Sequence, residues 1–347
     1  MFRLNTDELA RICDVFGLHD VEFTGTTAGY RNTVYMFRSA EQDRCLLVHK
    51  QEHDTVARLR RVNNLGWLMH AAGLPVRYPA DTRILRLNGA SVTRYATLQT
   101  WLPGETVPWE AYSMKHIKLL GWAMAELHGA LRQVASAGFP SVVSEYEVIV
   151  GRMERYFSTP SVRQALASKL SIELLPASLE LLKRFLTACR ALNGQQLLHM
   201  DFVRGNVLYR PSIPRDRFTI GTVSLSGIID FEKAAIGHPL FDIARTLAFL
   251  LVDCSGKTEA QIRKYFLQSG YQKRGQSQLQ SVSVTDTNGD EYDVLETAID
   301  LFVLYDIYKF LRDNPYESLL NNYHFVRTRD LALHRKLLQI SSLPSFR

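Results

Sequence analysis

Leu198-His199-Met200-Asp201-Phe202-Val203-Arg204-Gly205-Asn206-Val207-Leu208-Tyr209 is the stretch that decides how this chain is read. A carboxylate, Asp201, stands five positions before a carboxamide, Asn206. His199 lies two positions ahead of the acid, and an apolar run closes the segment. A short loop of this kind, emerging from a buried strand, can present both oxygen-bearing side chains to one cavity.

Working outward, a second segment has the same character. In Gly227-Ile228-Ile229-Asp230-Phe231-Glu232-Lys233-Ala234-Ala235-Ile236-Gly237-His238-Pro239-Leu240-Phe241-Asp242-Ile243-Ala244-Arg245, an apolar strand ends in Asp230, 29 positions after Asp201. Together the two segments resemble the aminoglycoside phosphotransferase and choline-kinase-like superfamily of small-molecule kinases. There the loop reads H-x-D-x-x-x-x-N before an aliphatic pair, and the second segment reads I-D-F/W-E-x-A-x-x-G-x-P-x-x-D-I/L-A. The resemblance implies a protein-kinase-like two-lobed α+β fold, with ATP and Mg2+ as cofactors and a small-molecule hydroxyl as acceptor. Asp201 would be the catalytic group that meets the hydroxyl, and Asn206 and Asp230 the metal ligands. His199 and Asp242 would be structural supports, Asp242 by holding the loop backbone. Glu232 would touch either the metal's water shell or the substrate.

The rest of the chain fits such a fold. Asn5 and Glu8 could form a capping pair ahead of Leu9, Ile12 and Phe16. Residues 21–37 read as strand, glycine-bearing turn, strand, and Leu46 to Lys50 as a third strand. A helix is expected from Thr55 to Ala72, stopped by Gly73, and Asn88-Gly89 marks a hairpin. The expectation is an N-lobe at 1–102, built as a five-stranded antiparallel sheet with one helix. A mostly helical C-lobe at 103–347 would carry an inserted β-hairpin around Asn288-Gly289. Leu119, Leu120, Ala123, Met124, Leu127 and Leu131 recur at helical spacing as core, and His128 among them reads as structural.

By the resemblance, the nucleotide would contact Gly25, Gly29 and Asn32 of the first turn and Lys50 at the third strand's end. It would also meet the segment from Gln99 and Trp101 to Gly104, where the adenine would bond to the backbone. Lys50 has no obvious carboxylate partner, because no acidic residue occurs between Thr55 and Ala72; Asn63, Glu52 and Asp54 are the substitutes at hand. The hairpin acids Asp286, Asp290, Glu291 and Asp293 read as a solvated turn, with a cationic substrate or calcium as the sharper alternatives.

Bulk properties narrow the class. Hydrophobic residues make up 46% and charged residues 22%, as in ordinary globular proteins, and no apolar run of transmembrane length occurs. The four scattered cysteines, Cys13, Cys45, Cys189 and Cys254, have neither zinc-ligand nor disulfide-framework spacing, so a cytoplasmic protein is expected. The formal charge of +6 suits anionic ligands, but the basic residues form no aromatic-interleaved patch, so no specific nucleic-acid partner is expected, nor a membrane. A protein substrate is disfavoured because Gly237 follows Asp230 by only seven residues, too few for an activation segment. The alternative function is a catalytically silent pseudokinase that binds nucleotide or a partner.

Overall fold

Asn5 and Glu8 close the first helix reciprocally: the Glu8 amide donates to Asn5 Oδ1, and the Asn5 amide donates to Glu8 Oε2, each at 2.8 Å. This helix, α1 (Thr6–Phe16), opens a computed structural model that describes residues 4–19, 21–28, 32–40, 42–88, 92–214, 216–274 and 282–341. The chain divides into two compact units, Met1–Thr106 with Gly205–Glu232, and Val107–Arg204 with Lys233–Arg347.

In the first unit, strands β1 (Glu22–Ala28), β2 (Asn32–Arg38) and β3 (Arg44–Lys50) are followed by helix α2 (Thr55–Ala71). Strands β4 (Leu85–Asn88) and β5 (Thr93–Thr100) complete an antiparallel sheet in the order β1-β2-β3-β5-β4. Ile12 and Phe16 of α1 pack with Tyr35, Phe37, Leu46, Val48, Ala96 and Leu98, which fixes the even-numbered side chains of β3 and β5 on the α1 face. The odd-numbered ones point the other way, where Gln99 Nε2 of β5 donates to Asn63 Oδ1 of α2 at 3.0 Å. Gly25 departs from its expected place: it lies inside β1, at a bulge where the register slips between Phe23 and Gly25, and not in the turn. Gly29, and Gly89 of the second hairpin, lie outside the described residues.

The first unit runs on to Thr106 and takes in Gly205–Glu232, because backbone hydrogen bonds tie that segment to it. Glu105 and Tyr209 exchange both of theirs at 2.9 Å, Ile228 donates to Pro75 O at 2.8 Å, and Arg77 donates to Ile228 O at 3.0 Å. Gly104 makes the approach possible. It sits at φ 118°, and a Cβ there would collide with Ser226 Oγ and lie 2.8 Å from Tyr209 O.

The second unit is mostly helical: α3 (Met114–Leu131), α4 (Val142–Ser158), α5 (Pro160–Leu170), α6 (Pro176–Cys189), α7 (Pro239–Asp253), α8 (Glu259–Arg263) and α9 (Val294–Asp313). The apolar stripe of α3 is core throughout. Its Gly121 lies so close to a π-helical turn, Lys264–Gln272, that a Cβ would strike the Phe266 carbonyl. Short strands Gln196–Leu198 and Ala235–Gly237 pair, and the first leads into the loop that carries Asp201. The inserted hairpin, Ser283–Thr285 with Glu291–Asp293, feeds α9, whose first turn is capped by Asp293. Its acids are engaged locally. Asp286 accepts from the amides of Asn288 and Asp290, and Asp286 and Asp290 face Arg184 at 3.5 and 2.7 Å. No helix among the described residues is long and apolar enough to cross a membrane.

Candidate active site

The loop after the strand Gln196–Leu198 is held by one buried carboxylate. Asp242, near the start of α7, accepts from the His199 amide at 2.8 Å and the Met200 amide at 3.0 Å. It is fully buried, and its Oδ2 also lies 3.1 Å from His128 Nε2. Nε2 donates to that carboxylate, and Nδ1 lies 2.8 Å from the Tyr271 hydroxyl. His128 is thus a doubly satisfied core histidine. Between these bonds Met200 takes φ 59°, a left-handed conformation that a methionine rarely adopts. The distortion turns the next residue, Asp201, out of line with the strand. The loop is fastened beyond Asp201 as well, by Thr246 Oγ1 donating to Phe202 O at 2.7 Å. His199 is buried, and its Nδ1 accepts from the Asp201 amide at 3.3 Å.

Asp201 itself keeps only 13% of its side chain exposed, and Lys233 Nζ lies 2.9 Å from its Oδ1. Burial would raise its carboxyl; the Lys233 ammonium, with Arg245 and His199, outweighs burial and holds it below the usual range. The group is ionised at neutral pH.

Asn206 and Asp230 belong to the first unit. Asn206 is half-buried at the end of a 3₁₀ turn, Arg204–Asn206, and its carbonyl accepts from the Ile229 amide at 2.9 Å, which brings the residue before Asp230 against it. Asp230 is exposed and adopts φ 66°. Backbone strain of this kind gathers at functional positions. An amide oxygen and an exposed carboxylate are hard donors, few in number, and such a pair fits magnesium, which takes its remaining ligands from phosphate and water.

Other candidates are differently engaged. Asn32 donates its amide to Glu232 Oε1 at 2.8 Å, so that in this structure it is a partner of a protein carboxylate. His49 Nδ1 lies 3.4 Å from the same oxygen, and His49 Nε2 lies 3.0 Å from Thr97 Oγ1. Burial would raise the Glu232 carboxyl, but His49, Asn32 and Arg58 outweigh it and bring it to about 2. Lys50 is one residue out of phase with this cluster. It is exposed and shares the α1 face with Leu46 and Val48, while His49 takes the opposite face. Gln99 is buried on Asn63, and the Trp101 amide donates to Asp43 O at 3.0 Å while Arg77 stacks over its ring. Asn63 therefore serves Gln99, and Glu52 pairs with Arg58 at 2.7 Å. His49 and Lys233 were not among the residues read from sequence.

With this geometry in view, comparison with known proteins is specific. A model of the phosphotransferase enzyme family matches residues 22–276. No curated protein matches the chain. Among solved structures, a microcompartment-associated aminopropanol kinase is similar at TM-score 0.62 and 16% identity, covering 96% of this chain and 99% of its own. An amicoumacin kinase, solved with AMP-PNP, Ca2+ and Ami, is similar at TM-score 0.63 and 13% identity, covering 94% of this chain and 96% of its own. A spectinomycin phosphotransferase, solved with ADP and spectinomycin, gives TM-score 0.53 and 14% identity, covering 95% of each chain. Likeness at these identities establishes the protein-kinase-like fold.

Proposed function

The chain belongs to the phosphotransferase enzyme family, and from that premise we propose that it transfers the γ-phosphate of ATP to a hydroxyl of a small-molecule acceptor, an amino sugar, amino alcohol or similar compound. The observation that carries this reading is the ionised, mostly buried Asp201 on a loop clamped by Asp242. Asp201 accepts a hydrogen bond from the acceptor hydroxyl and aims its oxygen in line with the γ-phosphorus. As the new oxygen–phosphorus bond forms, the bond to the β-phosphate oxygen breaks. The hydroxyl proton passes to Asp201, and ADP leaves. Because a low-lying carboxylate is a weak base, its contribution is alignment, with the proton arriving late. Asn206 and Asp230 would hold Mg2+, which supplies neutralisation of phosphate charge when bound. The similar structures solved with AMP-PNP and Ami, and with ADP and spectinomycin, support a nucleotide and a small-molecule acceptor.

The test is an acceptor screen: purified protein, ATP and Mg2+ with aminopropanol, kanamycin, spectinomycin and simple amino alcohols, read by mass spectrometry. Gain of one phosphate by an acceptor, with matching ADP, is the expected result. ATP that raises the melting temperature while no acceptor is modified would identify a nucleotide-binding module instead.

We further propose that His49, and not Lys50, is the strand residue that matters for nucleotide binding, through its hold on Glu232. His49→Ala raises the KM for ATP about tenfold, equivalent to ~1.4 kcal/mol, whereas Lys50→Ala changes it less than about twofold. Equal effects in steady-state kinetics would refute the assignment.

A further inference from the structure

Lys233 stands inside the Gly227–Arg245 segment, at the open position after Glu232, to which no role has been given. It is the exposed residue between buried Phe231 and Ala234, so its backbone is fixed on both sides while its side chain is 47% exposed. That side chain turns to Asp201. Exposed ion pairs are worth little, but here one partner keeps only 13% of its surface, where water screens the attraction less. The other charges near Asp201 are committed. Arg245, buried in α7, is bidentate on Asp306 of α9 at 2.9 and 3.2 Å, and Lys309 of α9 lies 3.8 Å from the same Asp306. His199 turns its accepting Nδ1 to the Asp201 amide and so offers the carboxylate no donor from that nitrogen. Lys233, 2.9 Å from Oδ1, is a cation in direct contact with the Asp201 carboxylate.

We propose that Lys233 is a positioning residue of the phosphoryl-transfer site, holding Asp201 by Oδ1 so that the carboxylate is ionised and oriented when the acceptor hydroxyl arrives. The inference rests on the phosphotransferase reading above. It also gives the ion pair a direction during the reaction. When the hydroxyl proton reaches Asp201, the pair loses its negative partner. The ammonium is then an unbalanced positive charge beside the phosphate ester that has just formed, an arrangement that favours transfer over return. Burial and Lys233 act oppositely on Asp201, and the low-lying carboxyl shows that the cations prevail. Removing the ammonium leaves burial less opposed, so the carboxyl must titrate at higher pH.

Three full-length proteins test this: wild type, Lys233→Met and Lys233→Arg. The Asp201 carboxyl is followed by carbon-13 NMR, assigned by its loss in Asp201→Asn, and kcat and KM are measured across pH with an acceptor found in the screen. The expected result has two parts. The Asp201 titration and the acid limb of kcat both move to higher pH in Lys233→Met and return in Lys233→Arg. At neutral pH, kcat falls about tenfold in Lys233→Met while both KM values stay within about threefold, the pattern of lost orientation and not of lost binding. An Asp201 titration identical in all three proteins overturns the proposal. So does a shifted titration with kcat unchanged, which would reduce the contact to a surface ion pair. If the titration shifts but wild type phosphorylates nothing, the hold on Asp201 stands and the phosphotransferase reading falls.

Discussion

Asp201→Asn purifies as a folded protein, still gains thermal stability from ATP, and loses ~10²–10⁴-fold in kcat/KM for acceptor phosphorylation. The substitution keeps the shape of the side chain and leaves in place the backbone bonds that shape the loop. Those bonds are made by backbone atoms, the His199 and Met200 amides on Asp242 and the Asp201 amide on His199. What is lost is the negative charge facing Lys233 and the lone pair that, on the proposed function, receives the acceptor's proton. Because the wild-type carboxyl titrates below the ordinary range, it adds stability above the pH at which an unfolded aspartate ionises. That stability fades as pH falls through the depressed value. Activity should persist to lower pH than an unperturbed aspartate would permit, and Asp201→Asn should lack that acid limb. A variant with kcat/KM within tenfold of wild type, measured with any acceptor from the screen, would remove Asp201 from the chemistry.

Local signals were legible where one residue type has one physical use. Asn5 and Glu8 cap α1 because their spacing matches the free amides of a first turn, and Asn288-Gly289 turns the hairpin because Gly289 accepts φ 86°. The order of strands and the helix α2 followed from the same kind of evidence. Parity within a strand did not. Cys45-Leu46-Leu47-Val48 is apolar on both faces, so the run carries no alternation, and whether His49 or Lys50 joins the cluster is decided by α1 packing on Leu46 and Val48. Gly25 looked like a turn because a bulge and a turn place similar demands on glycine. The assignment of Gly205–Glu232 to the first unit depends on backbone bonds to Pro75, Arg77 and Glu105, pairings more than a hundred positions apart that no local pattern encodes. The Lys233 contact was hidden for the same reason, as an ion pair between residues 32 positions apart in a motif slot with no fixed side chain. The π-helical turn had no periodic signature either; it becomes intelligible only beside Gly121 and the Tyr271–His128 bond.

Asp242→Ala should be the most destabilising polar substitution in the second unit. The carboxylate is fully buried and receives three donors from three places: the His199 amide, the Met200 amide and His128 Nε2. Alanine leaves all three without an acceptor in a site that water does not reach. Breaking a buried network from one side costs about 3–5 kcal/mol, far more than the net worth of an exposed hydrogen bond. At 2–4 °C per kcal/mol for a unit of this size, the melting temperature should drop by about 10 °C, measurable by calorimetry alongside a lower urea midpoint. Asp242→Asn is the sharper experiment. Its amide oxygen, placed where Oδ2 stands, can serve the His199 amide and His128, but its NH2 must then face the Met200 N–H, so part of the penalty remains although volume is unchanged. The two variants should also differ from a simple core lesion in activity. Met200 takes its left-handed backbone between the bonds from Asp242 and the strand behind it, and without the clamp that strain relaxes. Asp201 then loses its aim, so the folded fraction of Asp242→Asn should show a kcat reduced well beyond its population loss. Full specific activity in the folded Asp242→Asn protein would mean that the loop holds its shape without the carboxylate, and the account of how Asp201 is positioned would have to be abandoned.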